Sequence, residues 1–224
     1  MTKKVRIVEI KKSICEDNDA EANKLRADLR EKGVFLINLM SSPGSGKTSS
    51  ILRAVERLKG RRTIGVMEAD IDSAVDAEIM ARAGVKTIQI HTGGMCHLDA
   101  GMTRQGVESP EMEGCDLVIL ENVGNLVCPA EFDTGAAKNA MILSVPEGDD
   151  KPLKYPLMFS VADLLIINKI DCLSMFDFDP AAVRERAKAL NPKIDVLEVS
   201  AKTGEGFDRV ADWIERNADA WMRA

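Results

Sequence analysis

A short apolar run at residues 34–40 passes without a spacer into Ser41-Ser42-Pro43-Gly44-Ser45-Gly46-Lys47-Thr48. An amphipathic stripe, Ile51, Val55 and Leu58, follows at helical spacing. Strand, glycine-rich loop and helix in immediate succession leave few folds open. Glycines let the backbone curl so that several N–H groups converge on phosphate oxygens. Lys47 is then placed to reach the β- and γ-phosphates, the Thr48 hydroxyl to bind Mg²⁺, and Ser49 to face the same ligand. The first position of the usual G-x-x-x-x-G-K-[ST] pattern is Ser41 here. The structural alternative is a glycine-rich turn with a chance Gly-Lys-Thr, which the flanking strand and helix disfavour.

Further apolar runs at 63–68, 86–90, 116–121, 164–168 and 194–199, with 141–145 as another candidate, alternate with helical stripes. That alternation predicts an α/β fold, a mostly parallel sheet flanked by helices on both faces, of the P-loop NTPase kind. The stripes include Val75 with Ile79, and Phe207, Val210, Ile214 and Trp221 near the end. Asp179-Pro180 reads as a cap opening a helix with Val183, Ala187 and Leu190 inward. Residues 16–32 read as a leading helix stopped by Gly33. With no repeat, linker or low-complexity tract, residues 1–224 are expected to form a single domain, about 1–33 being its helical lead-in.

Asn168-Lys169-Ile170-Asp171 closes another apolar strand. A carboxylate at Asp171 accepts both edge hydrogens of guanine, whereas adenine presents no such donor pair, so GTP is favoured over ATP. Asn168 would brace the loop and the Lys169 stem cover the base. Ser200-Ala201-Lys202 after the last strand would offer a backbone amide to the guanine oxygen. Alone, the four-residue string is short and reads equally well as a surface turn; in register with a P-loop it becomes a strong signal.

Two acidic places fall on the same sheet edge. Glu68-Ala69-Asp70-Ile71-Asp72 follows the second strand and Glu121-Asn122-Val123-Gly124 the fourth. Mg²⁺ takes one or two carboxylates with waters and phosphates. Asp72 or Asp70 is expected near the metal and attacking water, and Glu121 in the metal's inner or outer shell. Gly124 could sense the γ-phosphate through its amide. The alternative for any one of these carboxylates is a solvated helix cap.

His91-Thr92-Gly93-Gly94-Met95-Cys96-His97 follows the third strand, and Cys128-Pro129 lies just beyond the fourth. Ligand sites of open α/β sheets gather at those strand ends. Cys96, His97 and Cys128 could therefore meet, and thiolates with imidazole suit Ni²⁺, Zn²⁺ or copper, not Mg²⁺. Three ligands leave a fourth to water, a partner or a second copy. Buried packing thiols are the other reading, and spacing leaves both open. His91 reads as a structural residue at a strand end, Cys115 and Cys172 as packing residues, and the 11 methionines as core filler; Cys15 is too isolated to interpret.

The net charge of −6 argues against a nucleic-acid or anionic-membrane surface. Five scattered cysteines and no apolar leader or membrane-length run point to a reducing cytoplasm.

The strings from Asn38 to Thr48, Gly93-Gly94-Met95-Cys96-His97-Leu98, and Glu121-Asn122-Val123-Gly124-Asn125-Leu126-Val127-Cys128-Pro129 resemble the HypB family, the GTPases of nickel incorporation into [NiFe] hydrogenase. The resemblance runs from about Ala20 to the C-terminus. It implies a slow GTP-hydrolysing, Mg²⁺-dependent metallochaperone that binds nickel or zinc through Cys96, His97 and Cys128 at a GTP-promoted homodimer interface. It also implies the HypA metallochaperone as partner and the hydrogenase large subunit as eventual client. The N-terminal cysteine-rich or histidine-rich segments of some members are not matched. A urease-type accessory GTPase would carry Cys-Pro-His, where Cys128-Pro129 is followed by Ala130. A P-loop small-molecule kinase would prefer ATP, against Asn168 and Asp171. A GTP-dependent interaction switch with structural cysteines is the third rival.

Overall fold

The computed structural model describes residues 10–70 and 75–223. In chain order the elements are α1 (Ile10–Glu31), β1 (Phe35–Ser41), α2 (Lys47–Leu58), β2 (Ile64–Asp70), α3 (Val75–Arg82), β3 (Lys86–His91) and α4 (Ala100–Val107). Then come β4 (Leu117–Glu121), α5 (Cys128–Glu131), β5 (Lys138–Ser144), α6 (Lys151–Lys154), α7 (Pro156–Val161), β6 (Leu164–Asn168), α8 (Pro180–Leu190), β7 (Asp195–Glu198) and α9 (Phe207–Arg223). The strands form one sheet in the order β3-β2-β4-β1-β5-β6-β7, with every pairing parallel. Each expected strand is present, and the candidate at 141–145 is β5, begun three residues earlier.

Both faces of the sheet are covered, because alternate side chains of a strand point opposite ways. From β1, Phe35, Ile37 and Leu39 join α2 and α9 in one cluster. Met40 turns to the other face with Met158, Phe159 and Val183, while Leu36 meets Leu25 and Leu29 of α1. Phe207, Val210, Ile214 and Trp221 are all buried along α9, as their spacing requires. Asp179 caps α8 by accepting from the Ala181 amide at 2.8 Å, and Gly33 takes a φ of 67° just past α1, where a side chain would be strained.

Two stripes differ from expectation. In α3 it is Met80 that is fully buried, while Ile79 is 40% exposed. In α8, Val183 and Ala187 are buried but Leu190 is 36% exposed, since the helix ends there and its last turn has left the sheet. Val75 keeps its helical position, but its side chain lies outside the described residues. Among the described residues, no helix is long and apolar enough to cross a membrane.

Candidate nucleotide and thiol sites

Gly46 stands at the start of α2 with φ 96° and offers no side-chain cap. The first amides of α2 therefore lack intrahelical acceptors, which makes this helix end an anion seat. Glycine is required twice over at position 46. The conformation is left-handed, and a Cβ would stand 2.6 Å from Asn168 Nδ2. The loop is already tied in place: Ser45 Oγ donates to Ser41 Oγ at 2.6 Å, and Lys47 Nζ to the same oxygen at 3.1 Å. From the far side Ser42 Oγ donates to Glu147, whose other oxygen accepts from the Ser144 amide and hydroxyl at 2.7 Å each. Pro43 packs under Gly124, where an added Cβ would lie 3.1 Å from Pro43 Cγ.

The loop after β6 is welded to this cradle. Asn168 Nδ2 donates to the Ser45 carbonyl at 2.9 Å, and its Oδ1 accepts from the Ala201 amide at 3.0 Å. Lys169, the one non-glycine with positive φ among the described residues, reaches the Gly44 carbonyl at 2.6 Å. Ser200 Oγ donates to Asp171 Oδ1 at 2.6 Å, and this bond foremost holds the Asp171 carboxyl below its ordinary value. Lys202 Nζ lies 3.9 Å from Asp171 Oδ2. Gly46, Ser49, Asn168, Lys169, Asp171, Cys172, Ala201 and Lys202 line one cleft. Cys172 is thus no packing residue: the turn after β6 carries it into the cleft, 3.6 Å from Asp171 Oδ2. Arg53 of α2, which the sequence does not single out, donates to the carbonyls of Ala201 at 2.9 Å and Lys202 at 3.1 Å.

At the phosphate end Thr48 Oγ1 donates to Glu121 Oε1 at 3.1 Å. Glu121 stands opposite Glu68 in the parallel register of β4 and β2, and both are 3% exposed. A hydroxyl and two buried carboxylates beside the anion seat are hard oxygen donors of the type Mg²⁺ takes. Asp72 lies outside the described residues, as does the side chain of Asp70, of which only the strand position is given. Beneath this edge runs a polar chain across three strands. Asn38 Nδ2 donates to Asn139 at 3.0 Å, Asn122 Nδ2 to Asn38 at 2.9 Å, and the Val123 amide to Asn122 Oδ1 at 2.9 Å. Asn38 and Asn122 are almost wholly buried, so unmade bonds there would be costly. Together they fix where the chain leaves β4.

That exit leads in four residues from Gly124 to Cys128, the first residue of α5. Cys128 Sγ lies 2.7 Å from Cys96 Sγ, and both thiols are free. Cys96 comes from the loop after β3, shaped by Thr92 Oγ1 donating to the Met95 carbonyl at 2.7 Å and by positive φ at Gly93 and Gly94. His97 Nδ1 is 3.9 Å from Cys96 Sγ, and its ring stacks on Phe132 with centroids 3.8 Å apart. Burial lowers the His97 pKa against the pull of Asp99 and Glu131, which favours the neutral imidazole a metal needs. The Cys128 pKa is raised, first by the bond with Cys96 and then by burial. The sheet thus brings the two cysteines together, with His97 beside them. Among the described residues no group of three or more His, Cys, Asp or Glu is arranged to hold an ion. Cys115 is buried, as a packing thiol should be, and His91 is exposed at the end of β3.

Comparison with known proteins agrees with this architecture. The pattern of the CobW/HypB/UreG nucleotide-binding domain matches residues 35–198. A hydrogenase maturation factor HypB from Rhizobium leguminosarum bv. viciae is 46% identical over 213 residues, covering 95% of this chain and 71% of the relative. Another from Escherichia coli K12 is 39% identical over 210 residues, covering 94% and 72%. The crystal structure of HypB from Helicobacter pylori in complex with nickel superposes with a TM-score of 0.86 at 36% identity, covering 91% of this chain and 96% of that one. HypB from Archaeoglobus fulgidus gives 0.83 at 39% identity, covering 91% and 99%.

Proposed function

We infer function from one premise: the chain belongs to the CobW/HypB/UreG nucleotide-binding family, within the HypB proteins. The family's P-loop GTPase chemistry sets the general activity, nucleotide hydrolysis. On that footing we propose a GTP-hydrolysing metallochaperone that carries nickel or zinc as cargo for hydrogenase maturation. The observation that carries the cargo reading is the Cys96–Cys128 pair, 2.7 Å apart, on segments that leave β3 and β4 at the same edge of the sheet as the phosphate cradle after β1.

In this mechanism Asp171 selects guanine, and Asn168 and Lys169 hold its loop against Ser45 and Gly44. Lys47 and the leading amides of α2 stabilise negative charge on the transferred phosphoryl as water attacks. Mg²⁺, when bound, neutralises charge on the β- and γ-phosphate oxygens. Thr48 and Glu121 are the residues to hold it, with Asp72 or Asp70 completing its shell or orienting the water. Turnover is slow and Mg²⁺-dependent, as suits a switch. Loss of the γ-phosphate relaxes the segment after β4, and Cys128 moves with it. Metal and GTP then influence one another reciprocally.

A pair of thiols with one imidazole leaves a four-coordinate soft-metal site one ligand short, so a second copy of the chain supplies the remainder at a GTP-promoted dimer interface. The exposed Met95 and Val127, each beside a site cysteine, suit such a face. The HypA metallochaperone is the expected partner, and the hydrogenase large subunit the eventual client. Free thiols at 96, 115, 128 and 172 suit a reducing cytoplasm.

The test is a nickel and zinc titration with and without a non-hydrolysable GTP analogue, beside Cys128→Ala, with oligomeric state read in the same samples. Binding that tightens as dimers form, and disappears in the variant, is the expected result. Weak binding indifferent to nucleotide and to Cys128 would instead favour a GTP switch with structural cysteines.

A further inference from the structure

We propose that Asn18 is a positioning residue of the thiol site, locking together the two segments that carry Cys96 and Cys128; this rests on the metal reading above. Helix α1 docks through Ala22, Leu25 and Leu29, which are 0%, 1% and 2% exposed. Asn18 continues the same face at spacings of four, three and four residues, where docking alone would call for an apolar side chain. Its carboxamide instead spans two loops. Oδ1 accepts from the Ala100 amide at 2.9 Å, and Nδ2 donates to the Asp133 carbonyl at 2.9 Å. One partner is a donor and the other an acceptor, so a flipped amide would lose both bonds, and the orientation is set.

The two anchor points bracket the candidate ligands. Ala100 opens α4, three residues after His97, and its amide is one of the helix-end donors left without an intrahelical acceptor. Asp133 follows Phe132, whose ring stacks on His97, and lies five residues after Cys128. The segments are therefore fastened at two places, by His97 on Phe132 and by Asn18 between Ala100 and Asp133. Further ties keep α1 in place over them. Arg26 gives both oxygens of Asp133 a hydrogen bond at 2.7 Å and reaches the Ala136 carbonyl at 3.0 Å. From α4, Arg104 grips Glu21 and Asp28 of α1. What reads in the sequence as a lead-in helix is thus a strut across both halves of the thiol site. Groups that orient metal ligands from one remove commonly weaken binding tenfold or more when deleted.

The experiment uses the full-length chain and nickel(II) alone as probe. Affinity is read by competition with a chelator, and the thiolate-to-nickel charge-transfer absorbance is recorded alongside. Asn18→Ala should weaken nickel about tenfold and alter that band, with GTP affinity unchanged. Asn18→Asp, which keeps the acceptor for Ala100 but sets a charged oxygen against the Asp133 carbonyl, should lose at least as much as Asn18→Ala. Trp213→Phe is the stability control, because it removes a hydrogen bond to Asp195 and part of a buried side chain from the α9 core, on elements that carry no thiol-site residue; it should lower Tm and leave nickel binding intact. Wild-type affinity and band in Asn18→Ala would overturn the role of Asn18 alone, as would an equal loss in Trp213→Phe at a matched fall in Tm. A wild-type chain that binds no nickel through its thiols, with Cys128→Ala indistinguishable from it, would overturn this inference and the metal reading together.

Discussion

The phosphate and guanine cradle and the thiol site lie on the same sheet edge, yet they are built in opposite ways. The cradle is cross-tied by the protein's own groups: Asn168 and Lys169 bind the P-loop backbone, Arg53 pins the loop after β7, and Glu147 holds Ser42. The thiol site has two sulfurs and an imidazole, a raised Cys128 pKa, and apolar neighbours facing solvent. A fixed cradle lowers the reorganisation that a reacting phosphoryl demands. An incomplete site whose Cys128 thiol holds its proton more tightly than usual suits an ion that must later leave. On the proposed reading, the contrast teaches that one edge can serve both catalysis and cargo by dividing its cross-ties unequally.

The largest expected effect separates the two regions. Lys47→Ala should lower kcat for GTP by roughly a thousandfold, the scale of losing a main charge stabiliser, while nickel affinity without nucleotide stays at the wild-type value; a fall in both would show that they are not separate. Cys128→Ala should do the reverse, weakening nickel by about a hundredfold, from the loss of a direct ligand, with GTP affinity unchanged by isothermal titration. A pH series sharpens the same contrast. Cys128 titrates above its ordinary value of 9.0, so binding must expel its proton, and nickel affinity should rise by at least tenfold per pH unit between pH 6 and 8. Asp171 is depressed below 3.8, so its contribution is complete above that value and is lost only as pH falls through its folded pKa. GTP affinity should accordingly be flat over pH 6 to 8.

Gly124→Ala probes the junction. Its Cβ would meet Pro43 at 3.1 to 3.3 Å, so the two loops must part by tenths of an ångström. About tenfold weaker GTP binding is expected from a misfit of this size, roughly 1.4 kcal/mol, together with a smaller nickel–GTP coupling measured in a double titration. Arg53→Ala removes two hydrogen bonds from the guanine loop and should weaken GTP only about fivefold.

How much of this was legible beforehand follows the reach of each interaction. Strands and their alternation appear as apolar runs, and the P-loop, Asn168 and Asp171 are local strings, so both emerge from the sequence. Cys96 and Cys128 could be matched because each follows a strand end, although only β4 lying between β1 and β2 brings them together. Asn18, Arg53 and the Asn139–Asn38–Asn122 chain have partners far along the sequence, and no spacing announces them. Glu68 was one acid among three until the β2–β4 register set it opposite Glu121. Ile79 and Leu190 satisfied helical periodicity but fell where the helix surface turns from the sheet. Cys172 looked like a packing thiol because the turn after β6 is set by Lys169 in a left-handed conformation, which apolar neighbours do not reveal.

The ties from Asn168 and Lys169 to Ser45 and Gly44 have a consequence for how a nucleotide is gripped. They make the base-reading and phosphate-reading loops one rigid receptor with two subsites, so guanine and triphosphate act as two ligands joined by a ribose tether. Once either end is seated, the other meets its subsite at a high effective concentration. Guanosine and free triphosphate should each bind far more weakly than their joined affinity suggests. Loosening those two ties would cost that chelate advantage even where each subsite kept its own contacts.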